Sequence, residues 1–112
     1  MVSVVFYRDS QQRLFSVLGS GHVQIGETTN DEYSIVCASI SAILQAARLG
    51  LQAYAHVPLD IHQEKGDLRL EVPVDWRGEE SVQAILNTAE LAIDQIAKQY
   101  PEHVSVQAFA KA

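Results

Sequence analysis

At 112 residues the chain is long enough for one domain, predicted to span residues 1–112, and its 47% hydrophobic content excludes a disordered protein. The formal charge of −6 argues against nucleic acid as the main partner, because phosphate binding needs a clustered basic surface. A single cysteine excludes an intrachain disulfide and any multi-cysteine metal site.

The first residues, Met-Val-Ser-Val-Val-Phe-Tyr-Arg, lack the positive and then apolar pattern of a signal peptide. The sequence contains no uninterrupted apolar run near the roughly 20 residues that a membrane span needs. These two observations predict a cytoplasmic protein with no membrane partner.

The first half of the chain predicts a β-hairpin followed by a helix. The apolar and β-branched segment 2–7 and the second apolar run 14–18 flank a polar turn, which is the pattern of two paired strands. Residues 24–31 are rich in Gly, Thr and Asn and predict a loop. From Ser34 to Leu49 apolar residues recur at three- and four-residue spacing, which predicts a helix that Gly50 ends.

The second half predicts two more strands, a long helix and a last strand. We expect strands at 52–57 and 68–72, with a polar segment at 60–66 between them. A helix is predicted over 79–100 and a closing strand over 104–108. The order ββαββαβ predicts an α+β two-layer sandwich with two long helices packed on one mixed or antiparallel sheet.

The only cysteine lies near the predicted start of the first helix. If Ser34 is the N-cap, Cys37 is the third helical residue, where unpaired amides and the helix dipole favour a thiolate, and amides around Ala38 could stabilise an oxyanion. Thr29 or Asn30 as the cap would instead place Cys37 two turns into the helix. A single cysteine among apolar residues is also typical of a small buried core residue.

His22 is the natural candidate for a general base, because it precedes the cysteine helix across one short loop. The alternative is an ordinary exposed loop histidine. Asp31 could orient His22 as a third catalytic group. Alternatively, its carboxylate could simply interact favourably with the positive end of the helix dipole. Ser41, one turn after Cys37, could line a pocket or make a local backbone bond. Three further histidines are weaker candidates and have no spacing typical of a metal site: His56, His62 and His103.

These residues resemble the signature of a known family. A Gly-His pair, a Gly-bearing polar loop and a cysteine helix with a serine four residues after the thiol resemble the bacterial ribosomal-processing cysteine proteases, the Prp family. The residues that carry the resemblance are Gly21-His22, Ile35-Val36-Cys37-Ala38 and Ser41. The order of predicted elements extends the resemblance over the whole chain.

The resemblance implies a homodimeric cytoplasmic peptidase that needs no metal or cofactor. Family members remove an N-terminal extension from the precursor of large-subunit ribosomal protein twenty-seven, cutting after an aromatic residue. By this resemblance Cys37 is the nucleophile, His22 is the general base, and Gly21, Ala38 and Ser41 contact the substrate.

The chain departs from the family pattern in three ways. Val23 replaces the usual Ala, Ser34 replaces an Asp three residues before the cysteine, and the loop between histidine and cysteine is longer. Ser can replace Asp as an N-cap. If the family's Asp also takes part in catalysis, Asp31 would have to take over that role. Two other functions therefore stay open from the sequence: a non-catalytic dimeric module that binds a peptide or ribosomal protein, and a thiol hydrolase of small esters or amides.

Overall fold

The structure, a computed structural model, describes residues 1–21 and 31–110, with only the backbone of Asp31. Its helices and strands occur in the predicted order ββαββαβ. They are β1 (Val2–Arg8), β2 (Leu14–Ser20), α1 (Asp31–Leu49), β3 (Asp60–Glu64), β4 (Asp67–Glu71), α2 (Glu80–Gln99) and β5 (Val104–Ala110). Short helical turns at Gly50–Tyr54 and Val74–Trp76 complete the described part of the chain.

One five-stranded mixed sheet in the order β3-β4-β2-β1-β5 forms the first layer, and the two helices form the second. Strands β1 and β5 are parallel, and the other neighbours are antiparallel. Alternate residues of β1 (Val2, Val4 and Phe6) are fully buried, because side chains at every second position point to the same face. The predicted α+β two-layer sandwich is confirmed.

The predicted strand at 52–57 is wrong, because the chain stays helical through Gly50–Tyr54. Leu51 has no exposed surface and continues the buried stripe of α1, so core packing favours helix over strand there. Gly50 lets α2 approach closely, since an added Cβ would lie 3.2 Å from Cδ1 of Ile85. The turn is followed by His56, which has a left-handed φ of 56° and does not lie on a strand face.

Strand β3 occupies part of the segment that the sequence predicted as a polar loop. It pairs only with β4 at the edge of the sheet. Ile61 is its one half-buried residue, and the other four are exposed. An edge strand held by backbone hydrogen bonds needs no apolar alternation, so the pattern that revealed β4 was missing here.

The segment Glu32–Tyr54 corrects the expectation about membrane spans. With 23 residues and a mean hydropathy of 1.6, it is long and apolar enough by length and composition to cross a bilayer. Core helices pass the same test, and Ile40, Leu44 and Leu51 of this segment are buried in the core of the sandwich. We therefore assign α1 to the core layer.

Candidate active site

Three strand ends meet at one edge of the sandwich. Antiparallel pairing of β1 with β2 places Ser3 opposite Ser20, and parallel pairing with β5 places Val2 beside Val104. The N–H of Val2 donates to the carbonyl of His103 at 2.8 Å, which fixes the start of β5 against the start of β1. The end of β2 and the starts of β1 and β5 therefore lie together.

Gly21 follows β2 at this edge and cannot be replaced without strain. Its φ is +80°, and an added Cβ would lie 2.5 Å from the carbonyl oxygen of Met1. Both the left-handed backbone and the close approach require glycine. This fixes the course of the chain immediately before His22, which itself lies outside the described residues, as do Thr29, Asn30 and the side chain of Asp31.

Cys37 lies on α1 with 3% of its surface exposed, among core residues such as Val36 and Ile40. It is the seventh residue of the helix as described, because α1 already includes Asp31. The prediction that Ser34 caps the helix is therefore wrong. Ser34 lies inside α1, and the thiol is in the second turn.

The start of α1 at Asp31 also contradicts the prediction that amides around Ala38 stabilise an oxyanion. In an α-helix the N–H of residue i donates to the carbonyl of residue i−4, so the helix directs the N–H of Ala38 to Ser34. Only the first four N–H groups of a helix are left without such partners. The amide of Ala38 is thus engaged within the helix rather than available to a substrate oxygen. The side chain of Ala38 is exposed, so its predicted contact with substrate stays a prediction.

Tyr33 connects the cysteine helix to the end of β2. Its hydroxyl donates to the carbonyl of Gly21 at 3.1 Å, and Cys37 lies four residues later on the same helix. Burial raises the pKa of Tyr33 above its ordinary value of 10.0, and the neighbouring thiol of Cys37 raises it further. The sequence analysis missed Tyr33, although its position four residues before Cys37 places the two side chains on one helical face.

His103 packs beside Tyr33 and is hydrogen-bonded to Glu32 in the first turn of α1. The two ring centroids are 5.4 Å apart, and Nε2 of His103 lies 2.8 Å from Oε2 of Glu32. Glu102 is 3.8 Å from the same nitrogen, and these three residues place ligand atoms within 4.8 Å of one another. The hydrogen bond between the imidazole and Glu32, with Glu102 nearby, accounts for the cluster. Sequence analysis ranked His103 low because its partners are distant in the chain.

A cavity of about 230 Å³ lies one helical turn beyond Cys37, between α1 and the β3–β4 hairpin. Ser41 is among the residues that line it, and its contact with substrate stays a prediction. Glu64 and Asp67 contribute carboxylates to the same cavity. Because Asp67 pairs with Ser20, the cavity lies at the same edge of the sheet as Gly21.

The two other histidines lie elsewhere in the fold. His56 belongs to the turn after α1, and His62 lies on the edge strand β3 with its Nε2 3.1 Å from Glu64. Both are exposed. Neither contacts Cys37 through any hydrogen bond or ion pair found among the described residues.

Comparison with solved structures finds the same fold in several bacterial proteins. The protein SMU.848 from Streptococcus mutans has 25% identity and a TM-score of 0.83, with 99% of this chain and 96% of that chain covered. The S. aureus ribosomal processing protease Prp in complex with a covalently linked product peptide has 23% identity and a TM-score of 0.81, with 96% and 99% covered. The same S. aureus protease with a substrate peptide gives 22% identity, a TM-score of 0.81 and the same coverage. No curated protein matches this chain.

A family model adds the sequence evidence that fold similarity alone does not provide. The model described as cysteine protease Prp matches residues 1–105, which include the Gly-His pair and the whole cysteine helix. Peptide hydrolysis by a cysteine is the chemistry of that family. The chain therefore belongs to the cysteine protease Prp family.

Proposed function

We propose that this protein is an endopeptidase that removes the N-terminal extension of large-subunit ribosomal protein twenty-seven, with Cys37 as nucleophile and His22 as general base. One observation carries the assignment of the nucleophile. The chain belongs to a family of cysteine proteases and contains a single cysteine. A cysteine protease needs a thiol, so Cys37 is the residue that this chain can use.

The reaction follows from these two groups without a metal or cofactor. His22 takes the thiol proton, and the sulfur of Cys37 attacks the carbonyl carbon of the scissile peptide bond. The protonated imidazole then gives its proton to the leaving amine, which leaves a thioester on Cys37. Water, activated by the neutral imidazole, hydrolyses the thioester and restores the thiol. The covalently linked product peptide of the S. aureus protease supports this type of chemistry.

The charge of the chain favours a basic substrate. Its formal charge is −6, and Glu64 and Asp67 line the cavity one turn beyond Cys37. A peptide with lysines or arginines beside the cleaved bond would meet carboxylates of opposite charge there. Ribosomal proteins are basic because they bind RNA, so a ribosomal substrate suits this surface. The similar S. aureus protein is a ribosomal processing protease.

The proposal is tested by co-expressing the host's own ribosomal precursor with the wild-type protein, with Cys37→Ala and with His22→Ala. We expect the wild type to remove the extension and both variants to leave the precursor intact, as read by the mass of its N-terminal peptide. Ser39→Ala, on the same helix with its hydroxyl bonded to the carbonyl of Ile35, is the matched control and should cleave normally.

Two outcomes would contradict the proposal. A precursor left intact by the wild type, but retained on the protein in a pull-down, would point to a binding module of the same fold. Cleavage that survives Cys37→Ala would exclude the thiol as nucleophile. We further propose that the protein is a cytoplasmic homodimer, in agreement with what its family resemblance implies.

A further inference from the structure

His103 is the centre of a group of three metal-ligating side chains from two parts of the chain. Its Nε2 lies 2.8 Å from Oε2 of Glu32, in the first turn of α1, and 3.8 Å from Oε1 of Glu102, in the turn before β5. One ligand atom of each side chain lies within 4.8 Å of the other two. Glu32 and His103 are 71 positions apart, so the fold and not the local sequence assembles this group.

The imidazole is fixed, whereas the two carboxylates are able to move. The side chain of His103 is only 16% exposed, and its ring packs against Tyr33 with the centroids 5.4 Å apart. Its carbonyl accepts the N–H of Val2 at 2.8 Å, so the backbone is fixed as well. The side chains of Glu32 and Glu102 are 53% and 61% exposed.

The spacing of the ligand atoms suits one zinc ion. In a tetrahedral site with bonds of about 2.0–2.2 Å, neighbouring ligand atoms lie about 3.3–3.6 Å apart. The distances from Nε2 of His103 to its two carboxylates, 2.8 and 3.8 Å, lie on either side of that range. Small rotations of two exposed glutamates therefore bring all three atoms to the spacing that the ion requires.

We propose that Glu32, Glu102 and His103 bind a zinc ion that joins the first turn of α1 to the start of β5. One imidazole with two carboxylates is a donor set that zinc accepts, and a water molecule completes four-coordination. A neutral imidazole and two carboxylates also carry two negative charges, which match the charge of the ion. This inference involves neither Cys37 nor His22 and is independent of the proposed peptidase function.

Zinc binding exchanges a proton for the ion. The imidazole of His103 and the carboxylate of Glu32 are hydrogen-bonded, so Nε2 has to be free of its proton before it coordinates a metal. A neutral ring keeps its proton on Nδ1, whereas a charged ring releases one proton to solvent. The groups that face the ring are the two carboxylates and the phenol ring of Tyr33. The affinity for zinc should therefore fall as the pH is lowered.

The imidazole distinguishes this site from an acidic surface patch. Magnesium and calcium prefer oxygen ligands and would find only two carboxylates here, whereas zinc binds imidazole nitrogen well. We therefore expect zinc to bind and magnesium and calcium to bind far more weakly.

The test titrates zinc chloride into untagged Cys37→Ala protein by isothermal titration calorimetry at neutral pH. This background removes the only thiol of the chain, which is itself a zinc ligand. We expect one zinc ion per chain. The melting temperature should rise with zinc concentration, because a ligand that binds the folded state stabilises it.

Two further substitutions in the same background, His103→Gln and Glu102→Gln, should each weaken zinc binding by at least about tenfold, since even a change in the groups around metal ligands costs that much. Gln at position 103 keeps a side-chain N–H for Glu32, and Glu102 is exposed, so both variants should fold. His62→Gln is the matched control. Its Nε2 lies 3.1 Å from Oε1 of Glu64, but this pair belongs to no group of three metal ligands in the described part of the chain. It should bind zinc like the Cys37→Ala parent.

Three results would overturn the inference. The first is neither heat nor a change in melting temperature in excess zinc. The second is unchanged zinc affinity in His103→Gln, which would place the ion elsewhere. The third is magnesium binding as tight as zinc binding, which would show a patch that attracts any dication. A ribosomal precursor that the wild type never cleaves would reject the peptidase proposal and leave these zinc measurements unaffected.

Discussion

Asp9 shows how one carboxylate can determine the shape of a turn. Its Oδ1 accepts the N–H groups of Gln11 and Arg13 at 2.9 and 3.1 Å, and its Oδ2 accepts Nε of Arg13 at 3.0 Å. Burial works against the charge, but the hydrogen bonds from Arg13 and Gln11 outweigh it and lower the pKa of Asp9 below its ordinary value of 3.8. The hairpin between β1 and β2 is therefore closed by an ionised side chain.

Replacing Asp9 by Asn should lower the melting temperature by a few degrees at neutral pH. Because the pKa of Asp9 is lower in the folded state, its charge stabilises the fold above the unfolded value near 3.8 and stops doing so as the pH falls through the folded value. The difference in melting temperature between the wild type and the variant, measured by thermal unfolding, should disappear in acid. Asp60→Asn, at an exposed carboxylate, is the control, and a gap that does not depend on pH would contradict this account.

The residues of the candidate site differ in how well the sequence reveals them. Cys37 and His22 could be identified as candidates from the sequence, because the chain has one thiol and the Gly-His pair lies just upstream of it. Tyr33 could not be, since its hydroxyl bonds to the carbonyl of Gly21, and a backbone acceptor has no sequence signal. His103 was noticed as a residue, but its partner Glu32 is 71 positions away and was not predictable.

At the scale of elements, the sheet and the helix layer are joined by a specific ion pair. The guanidinium of Arg8, at the end of β1, makes two parallel hydrogen bonds to the carboxylate of Glu90 on α2, at 2.7 and 3.0 Å. The side chains are only 26% and 15% exposed, so solvent screens the pair less than it would at the surface. Paired geometry of this kind is the strongest form of a salt bridge.

We expect Glu90→Gln to reduce the free energy of unfolding by about 1 kcal/mol, at the upper end of the range for partly exposed pairs. Urea unfolding of the wild type, Glu90→Gln, Arg8→Met and the double variant gives the coupling energy of the two side chains. The coupling should also fall at high salt. Additive effects of the two single substitutions would show that the pair contributes nothing to stability.

Elements with clear periodicity were predictable, and elements held by their surroundings were not. Strand β4 alternates Leu68 and Leu70 with exposed residues and α2 has a continuous apolar stripe, so both were found. Strand β3 has a single apolar residue, Ile61, and depends on β4 for its hydrogen bonds. The segment after Leu49 was misread because alternation over six residues suits a strand, whereas Leu51 belongs to the helical stripe that begins in α1.

At the scale of the whole molecule, the two helices form one side of the sandwich and leave apolar surface between them. A groove of about 440 Å³ runs between α1 and α2. Large apolar side chains on or near the helices are also exposed, among them Ile35, Leu49 and Leu91. Apolar surface of this kind is consistent with the proposed association of two copies.

Sedimentation equilibrium should therefore give twice the chain mass at micromolar concentration, with dissociation on dilution. The physical reason is that a domain of this size gains stability by covering apolar surface that its own core cannot bury. Addition of salt should leave the dimer intact if apolar contacts hold it. A monomer at every concentration tested would reject the dimer and leave the peptidase proposal untouched.

The parallel contact between β1 and β5 also governs when the protein becomes folded during its synthesis. The ribosome releases β1 among the first residues and β5 after residue 104, yet the two strands are direct neighbours in the sheet. Until then a nascent hairpin of β1 and β2 has one open side that can recruit strands from other chains. A chain with this topology thus completes its sheet only when translation of its last strand is finished.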